Sequence, residues 1–352
     1  MGIPLAFNTN IAVNNVWIRS ILALVGTLVA MALLVLILGA NPFTVGKTIL
    51  LGSLGNKWVL AQTITVAGIL ILTALAASIP FSARLWNVGG EGQMTVGAVA
   101  AAVVGLLVPE QWPAWLAAST VMILAMTTGA AWAVIPGWLK AKFDASEIVT
   151  TLMLNFIAMA LAAWVIFHVF PAGFVQRTKS ILVTARLPRP FEGWFVDVGI
   201  FFSIAAALVI WFIITKTKLG FSIRLIGANS RASKLAGIKT NGVTIWTFLL
   251  AGAMAGLAGA IIVQGRDHAL LQDFSANFGY IGIGVALVAR LNPIAILGSA
   301  VVFAILRVGS NSLQAGAGLS PAVGEIIVAT FVVLLMLTGV IKFQYPENPD
   351  AN

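Results

Sequence analysis

The sequence contains no cysteine, only two histidines and two tyrosines, and few charges: 20 Lys and Arg with 11 Asp and Glu, 9% of 352 residues. The absence of cysteine excludes disulfides, thiolate metal sites and cysteine nucleophiles. His168 and His268 lie a hundred residues apart near expected helix ends, and read as interfacial polar residues rather than a metal or catalytic pair. No carboxylate pair stands at a spacing suited to acid/base work, so hydrolytic chemistry has no candidate. The fragment Gly46-Lys47-Thr48 resembles a phosphate-binding loop, but Asn41 stands where that loop needs a glycine and an apolar helix precedes it. Neither an ATPase site nor any other enzyme is expected. The shortage of charge is the most consequential absence. Soluble domains carry roughly 25% charged residues, and here 60% of positions are hydrophobic. Too few polar side chains remain to cover a globular surface.

The chain is therefore expected to be an all-α integral membrane protein, a polytopic bundle of about 8–10 transmembrane helices. Charge-free intervals place helices at 20–40, 59–79, 87–108, 114–136, 147–169, 197–215, 243–264, 277–290, 293–310 and 322–341. The eighth and ninth are short, and Gly279, Gly282 and Gly284 suggest broken or re-entrant helices. Such backbone is tolerated in a bilayer only where protein or a water-filled cavity surrounds it. The first positive charge is Arg19, so the first apolar run lacks the basic start of a cleaved signal peptide and reads as a retained helix. With the N-terminus inside, cytoplasmic segments hold 12 of the 20 basic residues. The loop 216–242 has six basic residues and no acidic one, which assigns it to the cytoplasm. Segments 1–19 and 343–352 then form a cytoplasmic N-terminus and tail around a membrane domain, 20–342. The net charge of +9 reflects this orientation, so membrane lipid rather than nucleic acid is the expected partner of the chain's surface.

Three motifs stand out within the apolar runs. In Asn87-Val88-Gly89-Gly90-Glu91-Gly92-Gln93, three glycines cost about 1 kcal/mol each relative to alanine, and a carboxylate near the membrane core is expensive. Unwound backbone beside Asn87, Glu91 and Gln93 would line a translocation path; alternatively the glycines permit close packing, and Glu91 pairs with Arg84 or holds the helix through backbone N–H groups. In the second motif, Asp144 or Ser146 caps a helix whose Glu147 favours the N-terminal dipole. Thr151 and Asn155 then share one face at i, i+4. They either border the path or join helices by hydrogen bonds worth about 0.6 kcal/mol. The third is the cytoplasmic stretch Asn229-Ser230-Arg231-Ala232-Ser233-Lys234-Leu235-Ala236-Gly237. It reads as a short capped helix with Ala232, Leu235 and Ala236 on one face and Gly237 at its C-cap. It suits either anionic lipid headgroups or a groove on a soluble partner. Two glycine-rich strings, 87–93 and 277–284, fall in the two halves of the chain, a pattern of internal repeats with a site between them. Gly252, Gly256 and Gly259 offer a small-residue packing face.

Together, Asn87–Gln93 and Ala145-Ser146-Glu147-Ile148-Val149-Thr150-Thr151-Leu152-Met153-Leu154-Asn155-Phe156 resemble strings in the permease subunits of bacterial ABC importers of the branched-chain amino acid, ribose and nucleoside type. The likeness runs from about residue 20 to 342 and is strongest to the longer permease of the nucleoside branch. Tyr280–Pro293 also fits, with Ala289 where a glycine is expected. The resemblance implies an inner-membrane importer in which this chain forms half the channel and a shorter permease the other half. A substrate-binding protein would sit on the extracytoplasmic side. ATP and Mg would bind separate ATPase subunits, docked on Asn229–Gly237 as a coupling helix, with no cofactor in this chain. Nucleosides are the implied substrate and ribose or other simple sugars the alternative. An ion-coupled secondary transporter would need a carboxylate deep in a helix, for which Glu91 and Glu325 are the candidates.

Overall fold

The computed structural model describes residues 16–190, 193 and 195–337. Residues 1–15 of the expected N-terminal segment and the tail 343–352 lie outside them, as does the end of the expected helix 322–341. The chain begins with α1 (Val16–Ile37), α2 (Pro42–Leu54), α3 (Lys57–Ser82), α4 (Gly90–Leu107), α5 (Ala114–Phe143) and α6 (Glu147–Trp164). After α6 and one π-helical turn comes a small hairpin, β1 (Pro171–Ala172) and β2 (Val175–Thr178). Next are α7 (Gly199–Lys216), α8 (Lys218–Ala228), α9 (Ser230–Leu235) and α10 (Thr240–Ile261), the last prolonged by a π-helical stretch to Asp267. α11 (Phe278–Val288), α12 (Pro293–Ser310), α13 (Leu313–Ala317) and α14 (Pro321–Leu337) complete the described chain.

Among the described residues, seven helices are long and apolar enough to cross a membrane, or eight if the bent pair α1–α2 is one span. The axes of Val25–Ile37 and Pro42–Leu54 differ by 108°, the geometry of a broken span or a re-entrant loop. α2 occupies a stretch expected to connect two spans. Its start is specified locally, because Asn41 accepts the Phe43 N–H and Pro42 fills the first helical position. α5 continues seven residues beyond the expected end at 136, carrying Pro136 inside it and stopping where Asp144 turns left-handed. There Lys140 pairs with Asp144 at 2.7 Å and with Glu147, at the start of α6, at 3.2 Å. The ammonium holds the Asp144 carboxyl below its ordinary range.

α3 is the central helix. Its side chains are buried on all sides from Val66 to Phe81, as expected for a helix that is hydrophobic all round. Against it pack α7, α10, α11 and α12. α10 in turn packs on α4 and α5, and these three touch backbone to backbone at glycines. A methyl group on Gly129 would lie 2.5 Å from the Gly252 carbonyl, and one on Gly97 2.5 Å from the Gly256 Cα. Five of the exposed tryptophans lie near helix ends: Trp58, Trp115 and Trp164 toward one membrane face, Trp138 and Trp246 toward the other. Such rings favour the headgroup level.

Candidate functional site

The strings 87–93 and 277–284 meet. α3 ends at Ser82, on the face that carries α8, where Gly227 is packed directly on the Ser82 carbonyl. α11 runs along α3: Leu287 clusters with Phe81, and a methyl group on Gly282 would lie 2.5 Å from the Thr73 hydroxyl. Thr73 is about 13 Å along the helix from Ser82, close to half of a hydrocarbon core about 30 Å thick. From Ser82 the chain climbs non-helically beside α3, and the Asn87 amide reaches the Ala76 carbonyl at 3.4 Å. At that depth α4 and α11 both begin. α11, of 11 residues, is the short one of the two, and its N-terminus faces that of the 18-residue α4 inside the protein. Gly90, Gly92, Gly279, Gly282 and Gly284 lie instead within regular helix, while Gly89 stands at the N-cap of α4; at Gly92, Gly279 and Gly282 neighbouring residues occupy the space a side chain would need. A methyl group on Gly92 would lie 2.8 Å from the Asn155 Cα.

Four of the five polar residues singled out from sequence bond at this junction. The Glu91 carboxylate accepts the Gly279 N–H at 2.7 Å and also faces the Tyr280 N–H and the Ser275 hydroxyl. A carboxylate from α4 thereby satisfies the free first turn of α11 and complements its dipole. Asn87 and Gln93 form a reciprocal amide pair at 3.1 and 3.0 Å. Asn155 reaches across from α6. Its Oδ1 accepts the Gly92 N–H at 2.9 Å, and its Nδ2 donates to the Val88 carbonyl and the Tyr280 hydroxyl, each at 3.0 Å. The fifth residue, Thr151, is turned to its own helix and donates to the Glu147 carbonyl at 2.6 Å, with Gly89 against its Cβ. All five are buried, none more than 3% exposed. The member of the cluster that reaches open space is Tyr280, which was quoted in its motif without being assigned a role from sequence. Its link to Asn155 joins residues 125 apart, a contact that no local pattern reveals.

At the membrane face, α9 has the expected local form. Asn229 accepts the Ala232 N–H at 3.0 Å, and Gly237 closes the helix in the left-handed region at φ +77°. Ser233 is turned inward, while Arg231, Ala232, Lys234 and Ala236 are exposed and Leu235 projects at 91% exposure. Ser230 precedes this unpartnered surface and is exposed as well.

Residues 59–340 match the family described as Branched-chain amino acid transport system / permease component. The chain belongs to this family. As a permease it is similar to the glucose ABC transporter permease protein TsgB13 of Haloferax volcanii, 32% identical over 315 residues that cover 86% of this chain and 82% of that protein. The nucleoside ABC transporter permease protein NupB of Lactococcus lactis is 30% identical, with 90% and 89% covered. The guanosine ABC transporter permease protein NupP of Bacillus subtilis is 30% identical, with 92% and 94% covered. The permease is thus a multi-pass membrane subunit of an ABC importer, a transporter component without a catalytic domain. That role implies partner ATPase and binding-protein chains.

The junction makes a direct prediction for stability. Asn155→Leu leaves the Gly92 N–H and the Val88 carbonyl without their partner, and a buried group left unpaired costs about 1–3 kcal/mol. The purified permease is expected to unfold at a temperature several degrees lower; an unchanged midpoint would contradict the network.

Proposed function

We propose that this permease forms half of a nucleoside path through a bacterial inner membrane, with a second, shorter permease completing it. Separate ATPase subunits dock on Asn229–Gly237, and an extracytoplasmic binding protein delivers the solute. One observation carries the reading: the two strings that give the chain its likeness to the nucleoside branch are in contact at mid-depth, through Asn155 with Gly92 and Val88 and through Thr151 with Gly89. Asn87, Glu91, Gln93, Thr151 and Asn155 accordingly border the path as the wall behind it. Amides and hydroxyls suit neutral solutes rich in donors and acceptors, and weak contacts suit a conduit, where tight binding would hold the cargo. The relatives named for nucleosides and guanosine support this substrate class. The relative named for glucose keeps sugars as the alternative.

Competition decides between them. In cells expressing the complete importer, uptake of labelled guanosine is expected to be suppressed by unlabelled nucleosides and not by ribose or glucose. Guanosine uptake no greater than in cells lacking this chain, alongside chain-dependent uptake of ribose or glucose, would replace the nucleoside reading with the sugar one.

A further inference from the structure

A cavity of about 440 Å³ opens between α11, α12 and α14. From α11 it is lined by Tyr280 and Gly284, one turn apart, on a different face from the Gly279 and Gly282 that pack inward. Phe303 and Arg307 border it from α12, Glu325 and Val328 from α14. Its size is that of a small-molecule site. Its wall carries an ion pair, Arg307 Nη1 to Glu325 Oε1 at 3.1 Å, with the two side chains 21% and 62% exposed. Charge of that kind is expensive against hydrocarbon, so this wall faces water or protein rather than lipid tails. The hydroxyl of Tyr280 is held by the Asn155 amide, which fixes the ring at the mid-depth junction while 38% of the residue stays exposed. Gly284 leaves the adjoining turn of α11 without a side chain.

We propose that this cavity is a station on the translocation path, where the flat, neutral heterocycle of a nucleoside rests on the ring of Tyr280. The inference rests on the nucleoside reading above and adds the place and the group that meets the base. An aromatic face accepts every base because each has a π-surface. A paired Arg307 and Glu325 offer hydrogen bonds at the cavity edge without a net charge. Asn155 is a positioning residue here, since it acts through the Tyr280 hydroxyl.

This chain has no cysteine of its own, so any thiol label that it takes up lies at the introduced one. In the complete importer in membrane vesicles, Gly284→Cys is expected to react with a charged, water-soluble thiol reagent. Guanosine is expected to slow that reaction several-fold, and glucose to leave it unchanged. Separately, Tyr280→Ala is expected to raise the half-saturating guanosine concentration about tenfold, while Tyr280→Phe, which keeps the ring but loses the hydroxyl held by Asn155, is expected to raise it by a clearly smaller factor. Reaction only with lipid-soluble reagents, guanosine uptake with unprotected labelling, or an unchanged half-saturation in Tyr280→Ala would each overturn the assignment. So would loss of the second permease on purifying Gly284→Phe together with no water-accessible labelling of Gly284→Cys, since the cavity would then be a subunit interface. No nucleoside uptake by the unmodified importer overturns the nucleoside reading and this one with it; uptake without protection overturns the cavity alone.

Discussion

Gly256→Leu is expected to eliminate the folded permease. Gly256 lies where α10 crosses α5 and α4, and a Cβ there would press into the Ala125 carbonyl and lie 3.2 Å from the Gly129 Cα. Gly97 meets the same residue from α4. Extra methylenes in a packed core typically cost about 1–3 kcal/mol when side chains can shift. Here the obstacle is backbone on both sides, so the helices must separate and lose the packing of α10 on α5 and α4. Gly298→Leu is the matched control, because a Cβ at that exposed position in α12 meets nothing within 4 Å. In detergent, the yield of monodisperse protein should collapse for Gly256→Leu and remain normal for Gly298→Leu. Equal yields would show that the glycine crossing does not hold the bundle together.

The second large effect concerns coupling and should leave the fold intact. The Ala232 side chain is exposed on α9 and takes no part in the cap, which uses only its backbone N–H; such an exposed substitution changes stability within about 0.5 kcal/mol. A charge there nevertheless stands in the face formed with Leu235 and Ala236, where a docking partner needs close approach. Ala232→Glu is expected to reduce ATP-dependent uptake and stimulation of the partner ATPase at least about tenfold, corresponding to 1.4 kcal/mol of lost docking. The melting temperature of the permease should not move. Full uptake and stimulation in this variant would make α9 a surface helix with no part in coupling.

Much of this architecture was legible in the sequence because charge is scarce. Each expected apolar range coincides at least in part with a helix, from 20–40 on α1 to 322–341 on α14, since a charge-free run has little choice but to be helical in a bilayer. What escaped has definite causes. α2 and α8 are short, and their start signals lie in segments read as connections: Asn41-Pro42, and Thr217 accepting the Gly220 N–H. The glycines at 92 and 282 were read for their cost to an isolated helix, whereas their use depends on Asn155 and Thr73, far away in sequence. The polar residues of the junction were recognisable as costly in a membrane. Their partners were not, because Glu91 bonds to a backbone N–H 188 residues along the chain. Family membership removes the secondary-transporter alternative, and Glu91 has a structural partner at the head of α11.

The most direct measurement is ATP-driven accumulation of radiolabelled guanosine in proteoliposomes containing the purified permease, its partner permease, the ATPase subunits and the binding protein. Accumulation is expected only when all chains and ATP are present, and it should stop when this chain alone is left out. Equal accumulation without this chain would contradict its role as half of the path, as would nucleoside entry driven by the chain alone with an ion gradient and no ATPase.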